Sequence, residues 1–258
     1  MQLLFPILLL LAVSICHPSA AESPMPDGNA TNVVDLRPSF TRWNLTPRQQ
    51  GGRPTCSAFT VAVALEYAAA KRQEHGTRLS VEFLNWASNK TCGENEDGGF
   101  FSDLWKGFAA YGICREDEMP YRPALDTNQV PSVAALSNAK TQLALGLQLH
   151  WIKEWNVNTG LTDEHINQIQ RTLEAGWPVC AGLRWPKVET WDNGVLRMCP
   201  ADAVRDGHSV LLVGYRLDAK LPGGGAFIFR NTAGDGRDGA MPYVYARAYM
   251  NDAAWVDY

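Results

Sequence analysis

The sequence has no large excess of charge of either sign and few long hydrophobic runs. It contains 27 acidic and 23 basic residues, a formal net charge of −4. A protein that binds a nucleic-acid backbone needs a basic surplus, so this balance argues against nucleic acid as a partner. Hydrophobic residues make up 46% of the chain and charged residues 19%, which excludes a wholly disordered protein. The 258 residues are enough for one large domain or two lobes with a sizeable core.

One apolar run stands out, at residues 3–15. It is too short to span a bilayer as a helix, which needs about 20 apolar residues. Its length is typical of a secretory signal peptide, and the small residues 19–21 suit cleavage after Ala21. No Lys or Arg precedes the run, so a retained membrane anchor is the alternative. We expect a signal peptide over 1–21, a flexible leader over 22–32, and a secreted or periplasmic protein without a stable membrane span.

Cysteines are few, and Cys16 would leave with the signal peptide. Five would remain: Cys56, Cys92, Cys114, Cys180 and Cys199. In an exported protein an odd number implies two disulfide bridges and one free thiol. Four cysteines can pair in three ways, and we expect the short-loop pairs Cys92–Cys114 and Cys180–Cys199. No C-x₂-C or H-x₃-H spacing occurs, so no metal site is expected.

A long helix is predicted to begin close to Cys56. Residues 56–76 contain strong helix formers and no Gly or Pro before the final Gly76. The segment is apolar around most of its circumference, which predicts a buried central helix. Pro54 and Thr55 suit the first turn and the cap, so Cys56 is placed at the helix N-terminus. The partial positive charge at that end favours the thiolate, which is the nucleophilic form of cysteine.

Helical and strand patterns occupy different parts of the chain. Further helices are expected after Ser80, over 100–111 and after Thr162. The strand-like runs lie in the second half: 142–155, where apolar and polar residues alternate in part, and 178–183, 209–217, 226–230 and 243–249. This order predicts an α+β domain over 33–258. Its helical lobe would cover about 50–135 and its β-rich lobe about 136–258.

One histidine lies where catalysis would need it. His208 follows a turn and opens the strand-like run SVLLVGY, so it is expected at the rim of a sheet, facing another lobe. The remaining histidines are better explained by removal with the signal peptide, by packing or by exposure to solvent: His17, His75, His150 and His165. His208 is therefore the candidate partner for Cys56.

The segments around these two residues resemble the papain-like cysteine peptidases. That family carries Q-G-x-x-x-x-C-x-A-F ahead of its central helix, and this chain has QGGRPTCSAF at 50–59. The family's D-H-x-V-x-x-V-G-Y strand resembles GHSVLLVGY at 207–215, and its K-N-S-W-G turn resembles RNTAG at 230–234. Smaller resemblances to L-S-E-x-x-L, G-G, Y-G-I, Y-P-Y and G-P-V occur in the same order: LSVEFL at 79–84, DGGF at 97–100, YGI at 111–113, MPY at 119–121 and WPV at 177–179.

The resemblance implies a papain-like two-lobe fold and a role for each matched residue. Cys56 would attack a peptide carbonyl as a thiolate and form a thioester. His208 would be its counter-ion and then protonate the leaving amine. Asn231 would orient the imidazole, and the Gln50 side chain would donate to the oxyanion together with the Cys56 backbone N–H.

The resemblance also implies that Gly98 and Gly99 let the backbone of an extended substrate approach closely. A plain turn is the alternative explanation for this glycine pair, and the residues alone favour it.

Several positions depart from the family pattern. Ser57 stands where a Trp follows the nucleophile, and Arg53 stands where a bridging cysteine is common. Ala233 replaces the Trp that shields the His–Asn hydrogen bond, so we expect water to reach that bond. The stretch between Ala21 and Cys56 is too short for the family's usual inhibitory pro-segment.

The sequence thus predicts an exported, monomeric cysteine peptidase that acts on peptide or protein substrates without a metal or organic cofactor. Two alternatives remain open. The chain could be an inactive papain-like module that binds peptides, or it could carry out a related amidase or transglutaminase-type acyl transfer.

Overall fold

The computed structural model of the protein describes residues 32–258 except residue 235. The predicted signal peptide and nearly all of the predicted leader lie outside the described residues. Within the described part, no helix combines the length and the apolar character needed to cross a bilayer.

Helices dominate the first half of the described chain, as the sequence predicts. The described residues form the helices α1 (Arg37–Arg42), α2 (Cys56–Gln73), α3 (Val81–Cys92), α4 (Phe101–Tyr111), α5 (Val133–Leu143), α6 (Asp163–Glu174) and α7 (Tyr243–Tyr249). A 3₁₀ turn covers Ala201–Ala203.

Strands dominate the second half and join into one sheet. They are β1 (Val33–Asp35), β2 (Gln148–Lys153), β3 (Val179–Pro186), β4 (Trp191–Asp192), β5 (Val195–Leu196), β6 (Val204–Leu217), β7 (Gly225–Arg230), β8 (Asp238–Pro242) and β9 (Met250–Asp257). The strand order is β2-β9-β3-β6-β7-β8-β5-β4, and β1 pairs with β6. All pairs are antiparallel except β5 with β8.

The central helix α2 is buried along most of its length. Every residue from Cys56 to Ala70 is buried, which agrees with the apolar circumference of the sequence. The one carboxylate in this stretch, Glu66, is paired with Arg48 at 2.9 Å and Arg78 at 3.2 Å. A buried charge is tolerated when an opposite charge pairs with it, so the two arginines offset the cost of burying the Glu66 carboxylate.

Residues 243–249 are helical and not a strand, so that prediction is wrong. Pro242 precedes the segment in an extended conformation, and a proline is favourable at a helix start because it lacks the N–H that would stay unpaired. Tyr243, Ala246 and Tyr249 are buried at a spacing of three residues, the spacing of one helix face. The strand expected there begins directly afterwards, as β9.

The predicted bridge between Cys92 and Cys114 is also wrong, since the five described cysteines are free thiols. Cys92 is the last residue of α3, whereas the Cys114 carbonyl accepts a hydrogen bond from Ser80, the N-cap of the same helix. A helix rises about 1.5 Å per residue, so roughly 18 Å separates the two ends. Cysteines that form a bridge have Cα atoms within about 7 Å of each other.

The predicted Cys180–Cys199 bridge fails for a similar reason. Cys180 is buried against α2. The Cys199 carbonyl accepts from the Tyr249 hydroxyl, and Tyr249 packs on Tyr245, whose hydroxyl donates to the Arg184 carbonyl. Arg184 lies near the end of β3, whereas Cys180 is the second residue of that strand, so the contacts of Cys199 are toward the opposite end of β3, and both cysteines are free thiols. Cys56 is therefore not the only free thiol.

Candidate active site

The Cys56 thiol faces the strand that carries His208. Cys56 is the first residue of α2 and is 8% exposed. Its Sγ atom lies 3.9 Å from the Gly207 carbonyl oxygen, to which the S–H donates, and it also interacts with Ser209. Because Gly207 and Ser209 flank His208 on β6, the packing of α2 against this strand brings the predicted nucleophile to the predicted base.

The imidazole of His208 is oriented by Asn231, which follows β7. The two side chains are buried, and His208 Nε2 lies 3.0 Å from Asn231 Oδ1. The backbone N–H groups of Thr232 and Ala233 also donate to this Oδ1, at 2.8 and 3.1 Å. An oxygen that accepts from two backbone donors is fixed as an acceptor, so Nε2 must be the donor. The neutral imidazole therefore keeps its lone pair on Nδ1, where it can act as a base.

An aromatic ring covers the imidazole from a part of the chain that the sequence analysis did not single out. The indole of Trp185, on β3, lies 4.6 Å from the His208 ring, centroid to centroid, and Trp185 is 1% exposed. The expectation that Ala233 leaves the His–Asn bond open to water is wrong, because His208 and Asn231 are 4% and 7% exposed. A Trp near the end of a strand has no sequence signal that distinguishes this role from ordinary core packing.

Burial disfavours an isolated charge on either Cys56 or His208. It raises the pKa of the Cys56 thiol and lowers the pKa of His208 to about 4, while the Asn231 hydrogen bond acts in the opposite direction on His208. Transfer of one proton from sulfur to Nδ1 creates two opposite charges in contact, each of which compensates the other. The N-terminus of α2 adds further stabilisation of the thiolate.

Gln50 is fixed by contacts to Arg53, three residues before Cys56, and to Thr232, next to Asn231. Its side-chain Nε2 donates to the Arg53 carbonyl at 2.8 Å, and its Oε1 accepts from the Thr232 hydroxyl at 2.9 Å. Its backbone N–H also donates to the Thr232 carbonyl at 2.8 Å. An amide nitrogen has two N–H groups, so the second is available for an oxyanion. Thr232 thus connects Gln50 to the turn that carries Asn231.

The two predicted substrate-binding glycines differ in what they face. Gly98 is buried, and a β-carbon there would lie 2.7 Å from the Pro54 carbonyl oxygen, so this glycine is needed for packing behind the nucleophile. Gly99 is exposed and lines a cavity together with His208. Both have positive φ, at +77° and +137°, which L side chains rarely adopt. Gly99 is the one that a substrate backbone could reach.

Arg53, which stands where the family commonly has a cysteine, forms ion pairs that hold the segment Asp97-Gly98-Gly99, called here the glycine segment. Its guanidinium pairs with Asp97, next to Gly98, at 2.6 Å and with Glu82 on α3 at 2.6 Å. The three side chains are nearly inaccessible, at 5%, 8% and 4% exposure. Two charge-assisted contacts therefore join Arg53, just before α2, to α3 and to the glycine segment.

Two further histidines of the described residues lie in structural roles. His150 Nε2 lies 2.7 Å from Asp257 Oδ1, and its ring stacks on Trp255. The His165 side chain accepts from the Thr162 backbone in the cap of α6. Of the predicted site residues, the structure brings together Cys56, His208, Asn231, Gln50 and Gly99, with Gly98 behind them. It does not bring together the predicted disulfide partners.

Comparisons with known proteins agree with this geometry. The family profile described as papain family cysteine protease matches residues 31–247. The fold is similar to that of xylellain, a cysteine protease from Xylella fastidiosa, with 22% identity, a TM-score of 0.65, and coverage of 88% of this chain and 86% of that one. It is also similar to digestive procathepsin L 3 of the Tenebrio molitor larval midgut, with 18% identity, a TM-score of 0.62, and coverage of 90% and 72%. No curated protein matches in sequence. The papain-like α+β fold predicted from the sequence is confirmed.

Proposed function

Because the chain belongs to the papain family of cysteine proteases, we propose that it hydrolyses peptide bonds with Cys56 as the nucleophile and His208 as the acid–base group. One observation carries the proposal. Asn231 fixes the lone pair of His208 on Nδ1, while the Cys56 thiol packs against the two neighbours of that histidine.

The first half of the reaction transfers the acyl group to sulfur. Proton transfer from Sγ to His208 Nδ1 gives the thiolate, which attacks the peptide carbonyl carbon. The resulting oxyanion accepts from the Cys56 backbone N–H and from the second N–H of Gln50 Nε2, and losing one such donor typically costs about 10²–10³ in rate. The imidazolium gives its proton to the leaving amine nitrogen as the C–N bond breaks, leaving a thioester.

The second half returns the enzyme to its starting state. His208 takes a proton from water, and the hydroxide oxygen attacks the thioester carbon. The C–S bond breaks, the carboxylic acid product leaves, and the proton returns to the Cys56 thiolate. Asn231 holds the ring in one orientation through both halves, so the same Nδ1 atom serves as base and acid.

Export belongs to the proposal as well. The apolar run at 3–15 and the small residues before position 22 support a cleaved signal peptide and a secreted or periplasmic location. N-terminal sequencing of the protein recovered from the medium or the periplasm tests this. A mature chain that begins at residue 22 is expected, and a full-length chain in the membrane fraction would contradict it.

Alkylation tests the nucleophile. Iodoacetamide at mildly acidic pH should modify Cys56 faster than Cys92 and Cys199, although both of these are more exposed, and should abolish peptide hydrolysis in parallel. Selective labelling of the two half-buried thiols, Cys92 and Cys199, with no hydrolysis, would indicate a peptide-binding module. Incorporation of an added amine in place of water would indicate an acyl transferase.

A further inference from the structure

One carboxylate on the connection between β3 and β4 binds two indoles. Glu189 Oε1 accepts from Trp185 Nε1 at 2.7 Å, and Glu189 Oε2 accepts from Trp191 Nε1 at 3.2 Å. An indole has one N–H donor and no acceptor, so each ring engages one oxygen of the carboxylate. Hydrogen bonds to an ionised acceptor are stronger than those between neutral groups, which favours a single arrangement of Glu189 and the two rings.

The two indoles differ in burial and share one packing partner. Trp185 is 1% exposed, whereas Trp191 is 40% exposed. Both rings pack on Phe229 of β7, with centroids 5.8 and 6.2 Å from its ring. Gly239 on β8 leaves room for this packing, since a β-carbon there would lie 2.8 Å from the Phe229 ring and 3.0 Å from the Trp191 ring. Phe229 therefore supports Trp185 from the side, while Glu189 holds its N–H.

The carboxylate lies beside the turn in which alanine replaces the family's tryptophan. Glu189 lines a cavity of about 410 Å³ together with Gly234, the residue after Ala233. Its negative charge favours the protonated form of His208, whereas Arg205 on β6 opposes that form. During the reaction His208 is charged between accepting and donating its proton, so a fixed negative charge nearby stabilises this stage.

We propose that Glu189 is a positioning residue of the active site, whose two oxygens hold the indoles so that Trp185 stays over the His208 ring. The proposal rests on the proposed function, since the ring that is covered belongs to the acid–base group. Trp185 reaches the imidazole from β3 and needs a partner for its buried N–H. A buried donor without an acceptor is unfavourable, so loss of Glu189 would turn the indole toward water and uncover the imidazole.

Two substitutions separate the hydrogen bonds from the charge, with kcat and KM measured at pH 7 on one peptide substrate. Glu189→Met removes both, and should lower kcat about tenfold while KM stays within about twofold, because the histidine and not substrate binding is affected. Glu189→Gln keeps one carbonyl oxygen for the buried Trp185 N–H. It should therefore restore most of the loss and leave a deficit of roughly 1.5- to 5-fold from the missing charge.

Asp192→Asn is the matched control. It removes a carboxylate that is 58% exposed and lies three residues beyond Glu189, and it should change neither kcat nor KM.

Trp185→Phe tests whether the effect passes through the indole. It keeps an aromatic ring at the position over His208 but has no N–H to donate. In this background Glu189→Met and Glu189→Gln should lower kcat equally, since only the charge is then lost. A tenfold difference that persists between them would overturn the proposal. So would a Glu189→Met variant of the otherwise unchanged protein with lower thermal stability and parental kcat, which would show a structural role only.

Hydrogen exchange of the Trp185 indole N–H separates this proposal from the proposed function. Its NMR signal is assigned by its loss in Trp185→Phe, and the measurement needs no catalysis. Exchange should be about tenfold faster in Glu189→Met than in the parent, the effect of losing one hydrogen bond to a charged group. If Glu189→Met does not fold, Glu189→Asp, whose shorter side chain cannot reach both indoles, gives the same two readouts.

The two proposals can fail independently. Faster exchange in a protein that cleaves no peptide would support the positioning role and overturn the enzyme. Peptide hydrolysis with unchanged exchange and unchanged kcat in the Glu189 variants would overturn the positioning role alone.

Discussion

The cysteine side and the histidine side of the site are held in place by different kinds of interaction. Behind Cys56, the buried guanidinium of Arg53 ties the start of α2 to α3 and to the glycine segment. Around His208, a close-packed indole and one hydrogen bond from the imidazole to Asn231 Oδ1 fix the ring within the sheet. The first side depends on complementary charge and the second on shape, so we expect substitutions of similar size to act on them in different ways.

Removing the sulfur should have the largest effect, and it acts on one side only. Cys56→Ala is expected to lower kcat/KM at least about 1,000-fold, because no other group on the cysteine side can form the thioester. The free energy of unfolding should change little, since a small thiol at the edge of the core is lost. Cys92→Ala, at the end of α3, is the matched control and should keep full activity. Equal activity of Cys56→Ala and the parent would mean that the nucleophile is another residue.

Removing the charge behind the cysteine should mainly affect stability. Arg53→Met keeps the length of the side chain but leaves Glu82 and Asp97 buried without a counter-charge, which should cost about 3–5 kcal/mol of unfolding free energy. Urea denaturation at neutral pH measures it. Arg171→Met serves as the control, because Arg171 is 53% exposed and its pair with Glu164 should contribute under about 1 kcal/mol. Similar losses for both variants would show that the buried pairs do not hold this side.

Loss of Asn231 should affect turnover more than stability. Since the His–Asn bond is buried, Asn231→Ala should lower kcat about 100-fold, within the range of a positioned acid–base group. In a Trp185→Leu background, water gains access to the imidazole and the same substitution should cost less. Asn158→Ala, at an exposed position, controls for a general effect of losing an amide. Identical costs in the two backgrounds would show that Trp185 does not shield the bond.

The acid side of the pH profile reports on the histidine. Below a pH of about 4, His208 already carries a proton from solution, so it cannot accept the proton of the Cys56 thiol. We expect kcat/KM to fall as the pH decreases through about 4, by about tenfold per pH unit below it. Circular dichroism at each pH separates this fall from unfolding. A limb near 6.5, the ordinary pKa of histidine, would mean that burial does not control the ring.

Reductant should have the smallest effect. All five described cysteines are free thiols, so dithiothreitol is expected to leave the thermal midpoint unchanged within about 1 °C. Reductant would then leave both the cysteine side and the histidine side of the site unchanged. A drop of several degrees would mean that a bridge forms in the isolated protein.

The sequence predicts well where its information is local. The apolar circumference of 56–76 and the run SVLLVGY were sufficient to locate α2 and much of β6. The proposed role of Gln50 comes from the resemblance of residues 50–59 to the family motif. Helix α7 was missed because the Tyr-x-Tyr alternation at 243–245 imitates a strand, whereas the face that α7 buries is spaced by three residues, at Tyr243, Ala246 and Tyr249.

Contacts between distant segments could not be predicted. Nothing in the sequence around Trp185 indicates that its ring reaches His208. The disulfide predictions failed for the related reason that sequence separation was short while α3 holds the two cysteines of one pair at opposite ends. Arg53 was recognised as a departure, but its two buried partners became visible only when α3 and the glycine segment were in place.

The pairing of β1 with β6 has a consequence for the order in which the protein can form. Val33 lies opposite Arg216, so residues near the beginning of the described chain complete their sheet only with residues synthesised much later. His208 and Asn231 also come late, on β6 and just after β7, whereas Cys56 comes early. Pairings over such separations form slowly, because a long loop must close first. In a chain emerging from the ribosome, the Cys56 thiol therefore lacks His208 and Asn231 until most of the sheet has been synthesised, and the proposed catalytic group is completed only late in folding.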